Sequence, residues 1–378
     1  MNFDLTQDQE MVIKMARDVV ADVIAPRASE VDEKGEFPVE NIKTLSELGL
    51  MGLTIPEEYG GTKMDNLTYA MVVEEIAKGC AATASIMSIH SSTTCVALLK
   101  FGTEEQKRKY LPGLANGKIC AFALTEADSG SDAGSIKTSA VLDGDSYVLN
   151  GTKCFISNSG AADVYTIFAK TDKNNGTKGI SAFIVEAGTP GLEIGKHENK
   201  MGIRGSLTCE LIIDNLRIPK ENLLGEEGKG FKIALATLDS ARVGVGAQAV
   251  GIAQAAYETA LAYAKERKQF GNPIIEFEGI SFMLADMAMQ IESARLLVHK
   301  AACASDAGKP FGKEAAMCKC LASDMAVQVC LNAIQILGGY GYMKEYPTER
   351  YLRDAKITQI YEGTNQIQRV VISNYLKK

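Results

Sequence analysis

Three long stretches in the second half of the chain, 230–267, 279–306 and 313–337, run without an internal proline and set Ala, Met and Leu at helical spacing. Their length points to a helix bundle, a coiled coil or a subunit interface. Gly244, Gly246 and Gly251 fall inside the first stretch. Glycine costs a helix interior roughly 1 kcal/mol against alanine, so close approach by another helix or a ligand is expected there.

The N-terminal third also reads as helical. Thr6 and Gln9 carry the signature of a capping box ahead of Val12, Met15, Ala16, Val19 and Val23, with Pro26 as the expected end. Residues 40–52 and 66–79 repeat the pattern, interrupted by Ile55-Pro56 and a Gly60-Gly61 turn, and 107–114 closes the region with a turn at Pro112-Gly113. Between 120 and 220 the texture changes. Val141-Leu142 and Tyr147-Val148-Leu149 flank a tight Asp143-Gly144 turn, Asn150-Gly151 offers the next reversal, and 164–169, 180–185 and 211–218 are short β-type runs. These strands do not alternate with full helices, so a mainly antiparallel sheet is expected rather than a parallel βαβ sheet. The expected class is α+β: an α-helical domain over 1–120, a β-domain over 121–227 and a C-terminal α-helical bundle over 228–378, of four-helix-bundle character.

A net charge of −7 and a pI near 5.3 argue against a nucleic-acid partner, which needs a basic surface. No apolar run approaches the ~18–20 residues of a membrane span. Met1–Leu5 has neither a basic nor an apolar leader segment, so a mature cytoplasmic protein is expected. The nine cysteines are irregularly spaced and include no Cys-x-x-Cys pair, which disfavours a disulfide framework or a zinc site and suits buried apolar residues in a reducing compartment. Cys318 and Cys320, two apart on a helix, point to different faces. His90, His197 and His299 are scattered, and no metal site is expected. There is no Gly-x-Gly-x-x-Gly after a strand and no Walker loop. Carboxylates are left as the acid–base candidates.

Three clusters could carry chemistry. In Ile360-Tyr361-Glu362-Gly363-Thr364-Asn365-Gln366 an acidic residue sits between an apolar dipeptide and a glycine. Desolvation would raise its pKa into the range of a base, or it is an ordinary glutamate in an inter-helix turn. Leu124–Asp132 is rich in Gly, Ser and Thr, suited to offering N–H groups to a flavin edge or phosphate, or simply a solvated loop. Gln335–Tyr342 holds three glycines, which permit a flat or anionic ligand close to the backbone, or form a helix C-cap and turn.

Together, and in this order, these segments resemble the acyl-CoA dehydrogenase family over nearly the whole chain. The resemblance also includes Pro56-Glu57-Glu58-Tyr59-Gly60-Gly61, Lys200-Met201-Gly202-Ile203-Arg204-Gly205-Ser206 and Arg267-Lys268-Gln269-Phe270-Gly271. It implies the family's helical–β–helical fold and FAD-dependent oxidation of an acyl-CoA to a trans-2-enoyl-CoA. Glu362 matches the glutamate that removes the pro-R α-proton while the β-hydride passes to flavin N5. Its backbone N–H would help hold the thioester carbonyl as enolate charge develops. Relatives that place the base just before the arginine matching Arg242 would need it at Ala241, which cannot serve.

By the same resemblance Phe122, Leu124, Thr125, Gly130, Ser131, Phe155, Ile156, Ser157, Arg267, Phe270, Gln335, Gly338, Gly339, Thr364 and Gln366 should line FAD, Arg267 reaching it from a neighbouring subunit. Ser131, Asp239, Arg242 and Gly363 should contact the CoA thioester, and Gln248 and Thr358 resemble the short-chain members at the end of the acyl pocket. A C4 acyl-CoA is the implied substrate, with reduction of acryloyl-CoA or an aryl-acryloyl-CoA as the alternative. Electron-transferring flavoprotein is the implied partner and a homotetramer, a dimer of dimers, the implied assembly. Phe155 stands where many relatives carry tryptophan, and Glu278 where a glutamine often contacts FAD. Acyl-CoA oxidases are generally longer, and nitroalkane oxidases use aspartate as the base. A non-catalytic helical scaffold or flavin-binding partner protein would leave any flavin unbleached by acyl-CoA.

Overall fold

The structure, a computed structural model, describes residues 4–377; the reading of Met1–Phe3 as free of a leader lies outside them. Seven α-helices come first: α1 (Gln7–Val19), α2 (Ala25–Lys34), α3 (Val39–Glu47), α4 (Asn66–Gly79), α5 (Ala81–Ser92), α6 (Thr94–Phe101) and α7 (Glu104–Ala115). The expected capping box is present, Gln9 N donating to Thr6 Oγ1 at 3.3 Å and Thr6 N to Gln9 Oε1 at 3.0 Å. Pro26 does not end the first helix. A π turn over Val20–Ile24 links α1 to α2, and Pro26 falls in the first turn of α2, where its missing N–H is not needed. Pro112 likewise lies within α7, which runs on to Ala115 because Leu111 and Leu114 are wholly buried.

The middle region is one eight-stranded sheet: β1 (Cys120–Ala123), β2 (Ser139–Asp143), β3 (Ser146–Ser157), β4 (Val164–Lys170), β5 (Ile180–Glu186), β6 (Leu192–His197), β7 (Thr208–Pro219) and β8 (Leu223–Leu224). Its order is β6-β7-β3-β2-β4-β5-β8, with β1 also beside β4. Pairing is antiparallel except where β4 meets β1 and β2. The expected reversal at Asn150-Gly151 is absent. β3 passes straight through with a bulge between Leu149 and Gly151, and a Cβ on Gly151 would stand 2.4 Å from Thr138 Oγ1. Glycine serves close strand approach there, not a turn.

The last region holds α8 (Gly230–Glu266), α9 (Glu278–Asp306), α10 (Gly312–Leu337), α11 (Thr348–Thr358) and α12 (Asn365–Leu376). The glycines of α8 admit other helices. A Cβ on Gly244 would meet Ser88 Oγ at 2.3 Å, and one on Gly251 the Glu74 carbonyl at 2.2 Å, so α4 and α5 lie directly on α8. The α+β order of helical, β and helical regions is the one expected from the periodicity. Two helical stretches, Ala81–Phe101 and Gly312–Tyr342, are long and apolar enough by composition to cross a membrane, contrary to the expectation that none comes near. The first is 89% buried inside the fold, and core packing accounts for its composition.

Candidate active site

Glu362 lies in the loop between α11 and α12. It has φ +55° and Gly363 φ +91°, two successive left-handed residues. A side chain in that region costs of order 1 kcal/mol or more, so the surroundings must hold it. They do so through the carbonyls. Gln368 Nε2 donates to Glu362 O at 3.1 Å and Gly363 O at 2.8 Å. Lys319 Nζ, from the interior of α10, donates to Gly363 O and Asn365 Oδ1, each at 2.8 Å. A Cβ on residue 363 would stand 2.7 Å from Gln368 Nε2, so glycine is required there. Tyr361 turns inward, its hydroxyl donating to Gln248 Oε1, while Gln248 Nε2 donates to Ala81 O at 3.0 Å.

Burial pushes the Glu362 carboxyl up to about 7, against the opposing pull of Arg242 and Lys319. Among the described residues neither its carboxylate nor its main-chain N–H has a hydrogen-bond partner. Burial also brings Lys319 down to about 8. Arg242, on α8, is almost fully buried and pairs with Asp239 at 2.7 Å. A cleft of about 210 Å³ opens nearby, walled by Tyr69, Ser92, Lys100, Ser240 and Val243 among others. Tyr69 joins it to Glu362: it lines the cleft, and burial, helped by the Glu362 charge, raises its hydroxyl to about 12. Glu362 thus feels the charge of Arg242, which Asp239 pairs, and its neighbour Tyr361 meets Gln248, but none of these residues lines the open cleft. Thr358 is buried at the end of α11, its hydroxyl donating to Ala355 O at 2.6 Å. Gln248 and Thr358 are fully buried and do not line the cleft.

The residues expected around a cofactor fall into two surfaces. Phe122, Thr125, Gly130, Ser131, Phe155 and Ser157 lie on β1, the following loop and the end of β3, where Cys154 N donates to Thr125 O at 2.9 Å. Phe155 is 64% exposed at φ +57°, an apolar ring held out in a strained conformation. Ile156 and Leu124 are buried, so only their main chains can reach a ligand. Thr364 caps α12, accepting from Ile367 N at 3.3 Å, and Gln366 is exposed in its first turn. Arg267, Phe270, Gly338 and Gly339 line a separate groove of about 590 Å³ with Tyr263 and Tyr340, and Gln335 is exposed on the last turn of α10. None of the first group lines this groove. Nothing lies within 4 Å of a Cβ built on Gly130, Gly338 or Gly339, and Arg267 sits 5.7 Å over the Tyr340 ring. Open glycines, an exposed ring and a basic group over an aromatic suit a flat, phosphate-bearing cofactor that spans two surfaces.

Several site residues were not singled out by sequence. Lys319 is one; its only signal is a lysine on the buried stripe of an otherwise apolar helix. Tyr69 and Tyr361 gave none. Glu126 and Lys153 form a buried ion pair of 2.7 Å beneath the Leu124–Asp132 loop. His90, read from the sequence as scattered and outside any metal site, meets Cys120 Sγ at 3.3 Å through Nδ1 and Cys95 Sγ at 3.7 Å through Nε2, and the ligand atoms of the three lie within 4.8 Å of one another in the core, a spacing that the linear sequence did not show.

Three family descriptions match in succession: "Acyl-CoA dehydrogenase, N-terminal domain" over residues 6–118, "middle domain" over 121–216 and "C-terminal domain" over 228–376. Acryloyl-CoA reductase (NADH) of Anaerotignum propionicum is 54% identical over 381 residues, covering 100% of this chain and 96% of the relative. The structure of butyryl-CoA dehydrogenase from Megasphaera elsdenii superposes with a TM-score of 0.98 or better, at 0.99, with 51% identity and 100% of both chains covered. A chain from a structure described as electron transferring flavoprotein of Acidaminococcus fermentans, concerned with flavin-based electron bifurcation, has a TM-score of 0.98 and 51% identity, covering 100% and 99%.

Proposed function

This chain belongs to the acyl-CoA dehydrogenase family, and we propose that it dehydrogenates a short-chain acyl-CoA of the butyryl type, with Glu362 as the base for the α-proton. The observation that carries the assignment is a carboxylate with no hydrogen-bond donor among the described residues, raised to about 7 by burial and close enough to the cleft-lining Tyr69 to act on its hydroxyl. A base that titrates near neutrality is both ionised and strong enough to accept a proton from a thioester α-carbon. The free N–H of Glu362 is available to the thioester oxygen as negative charge builds there. Arg242 and Lys319 add positive field, while buried Tyr69 and half-buried Tyr361 help keep bulk water from the carboxylate.

FAD is the cofactor proposed, held by the β1–β3 surface of one subunit and the Arg267 groove of another, and when bound it supplies the acceptor for the β-hydride. Phe155 would cover the ring in place of a tryptophan. Glu278 is exposed at the start of α9, and among the described residues its side chain has no hydrogen bond or ion pair. Phe282, Met289 and Leu296, seven apart and exposed on α9, give a second copy an apolar stripe, in keeping with a homotetramer. Electron-transferring flavoprotein is proposed as the electron acceptor, in line with the Acidaminococcus structure. The Anaerotignum relative favours a second reading, in which protonated Glu362 delivers the α-proton to an acryloyl-CoA.

Anaerobic titration with butyryl-CoA tests the assignment. A flavin spectrum that bleaches is the expected result, and bleaching reversed by crotonyl-CoA would place the equilibrium. A flavin that ignores butyryl-CoA but, once reduced, is reoxidised by acryloyl-CoA would favour the second reading.

The acyl-chain limit gives a further expectation. Gln248→Gly removes a fully buried side chain and should raise the C8/C4 activity ratio. It also removes the hydrogen bonds from Gln248 to Ala81 O and from the Tyr361 hydroxyl to Gln248, and leaves a cavity, so stability should fall by about 1–3 kcal/mol. A flat C8/C4 ratio would show that Gln248 does not bound the pocket.

A further inference from the structure

We propose that Lys319 is a positioning residue for the base: with Gln368 it fixes the carbonyls of the Glu362–Gly363 turn and so holds the left-handed backbone from which the Glu362 carboxylate is aimed at the substrate. The inference rests on Glu362 being the base. Lys319 lies in the interior of α10 with no solvent exposure. Burying an ammonium carries a penalty of several kcal/mol, so an apolar residue would serve packing better. What the lysine adds is specific. Its Nζ bridges Gly363 O and Asn365 Oδ1, both at 2.8 Å, tying the catalytic loop to a helix that is otherwise part of the core.

The far end of the bridge is also fixed. Asn365 Nδ2 donates to Ser323 Oγ at 2.8 Å and Asp324 Oδ1 at 2.7 Å, one helical turn along α10. Gln368, wholly buried on α12, holds Gly363 O as well and adds Glu362 O. Each peptide plane is set by its carbonyl, so pinning Glu362 O and Gly363 O fixes the two planes that follow the Glu362 Cα, and with them the backbone that carries its side chain. Two left-handed residues in succession have no local reason to stay so, and the three bonds supply one.

Lys319 has an electrostatic role too. The groups facing Glu362 are Arg242 from α8, Lys319 from α10, Tyr69 from α4 and Tyr361 from its own loop. Arg242 is already engaged by Asp239, which leaves Lys319 as the buried cation without a carboxylate partner. Removing its charge should move Glu362 further above its ordinary range.

The test uses the FAD-loaded enzyme and compares wild type, Lys319→Met, Gln368→Leu and Glu362→Gln. In Lys319→Met the rate of flavin reduction by butyryl-CoA at neutral pH should fall by about tenfold or more. The acid limb of its pH profile should move up by about one unit. The infrared band of the protonated Glu362 carboxyl, identified by its loss in Glu362→Gln, should persist to correspondingly higher pH, a reading independent of turnover. Gln368→Leu loosens the same carbonyls without removing charge, so it should slow reduction and leave the limb in place. An unchanged limb and a rate within twofold of wild type in Lys319→Met would overturn the inference, and if that variant does not fold, a wild-type rate in Gln368→Leu would do so. Full turnover in Glu362→Gln would instead remove the assignment of the base itself.

Discussion

Glu362→Gln is expected to fold, bind FAD and acyl-CoA, and lose about 10²–10⁴-fold in turnover, the usual contribution of a positioned general base. The amide keeps the shape of the side chain and leaves the main-chain N–H untouched, so the loss isolates proton abstraction. More than a tenth of wild-type turnover would take Glu362 out of that role. The same variant should be more stable than wild type, with a definite pH dependence. The Glu362 pKa is raised from 4.5 to about 7 in the folded protein. A raised group favours folding fully below its unfolded pKa and loses that contribution as pH climbs through the folded value. Wild type should therefore lose up to about 3 kcal/mol between pH ~4.5 and ~8 that the glutamine variant does not. Urea unfolding at pH 5 and pH 8 reads this directly: the stability difference should be small at the lower pH and clear at the higher. Equal differences at both would show that the carboxylate is not desolvated.

The second large effect is expected at Lys153→Met. Lys153 has no exposed surface and donates to Glu126 Oε1 at 2.7 Å and Leu124 O at 3.1 Å. Glu126 also accepts from Thr138 N at 3.0 Å and Lys137 N at 2.5 Å, so one carboxylate ties the Leu124–Asp132 loop, proposed to face FAD, to the start of β2. Burial brings Lys153 down to about 8, and Lys153, outweighing burial, holds Glu126 below the usual carboxylate range. Removing one partner of a buried pair typically costs 3–5 kcal/mol, because the other charge is left uncompensated. Lys153→Met should cost about 3 kcal/mol in urea unfolding and weaken FAD retention through the loop. Glu126→Gln combined with Lys153→Met should recover part of that stability, since no lone charge remains. A double variant no better than the single would show that packing, not the ion pair, sustains the loop.

Much of this was legible along the chain because it is local. The helices α8, α9 and α10 declared themselves through periodicity and the lack of proline. The sheet did so through short β-type runs, and Glu362 through the glycine beside it and its place in an ordered set of motifs. The errors were local rules overridden by burial. Pro112 stays helical because Leu111 and Leu114 are anchored in the core, and Asn150-Gly151 stays extended because β3 is paired with β7 on both sides of its bulge.

The sequence by itself determined the order of helical and β regions and the family, and singled out Glu362 as the candidate base, all of which depend on residue types at short spacing. Only the tertiary structure decided what surrounds Glu362. Lys319 meets Gly363 across 44 positions, Tyr361 meets Gln248 across 113, and Lys153 meets Glu126 across 27. Periodicity reports which face of an element is buried, and it carries no information about which distant side chain is buried against it. The raised pKa of Glu362 belongs to that second kind of fact, because desolvation and the field of Arg242 and Lys319 exist only once four separate elements have closed around it.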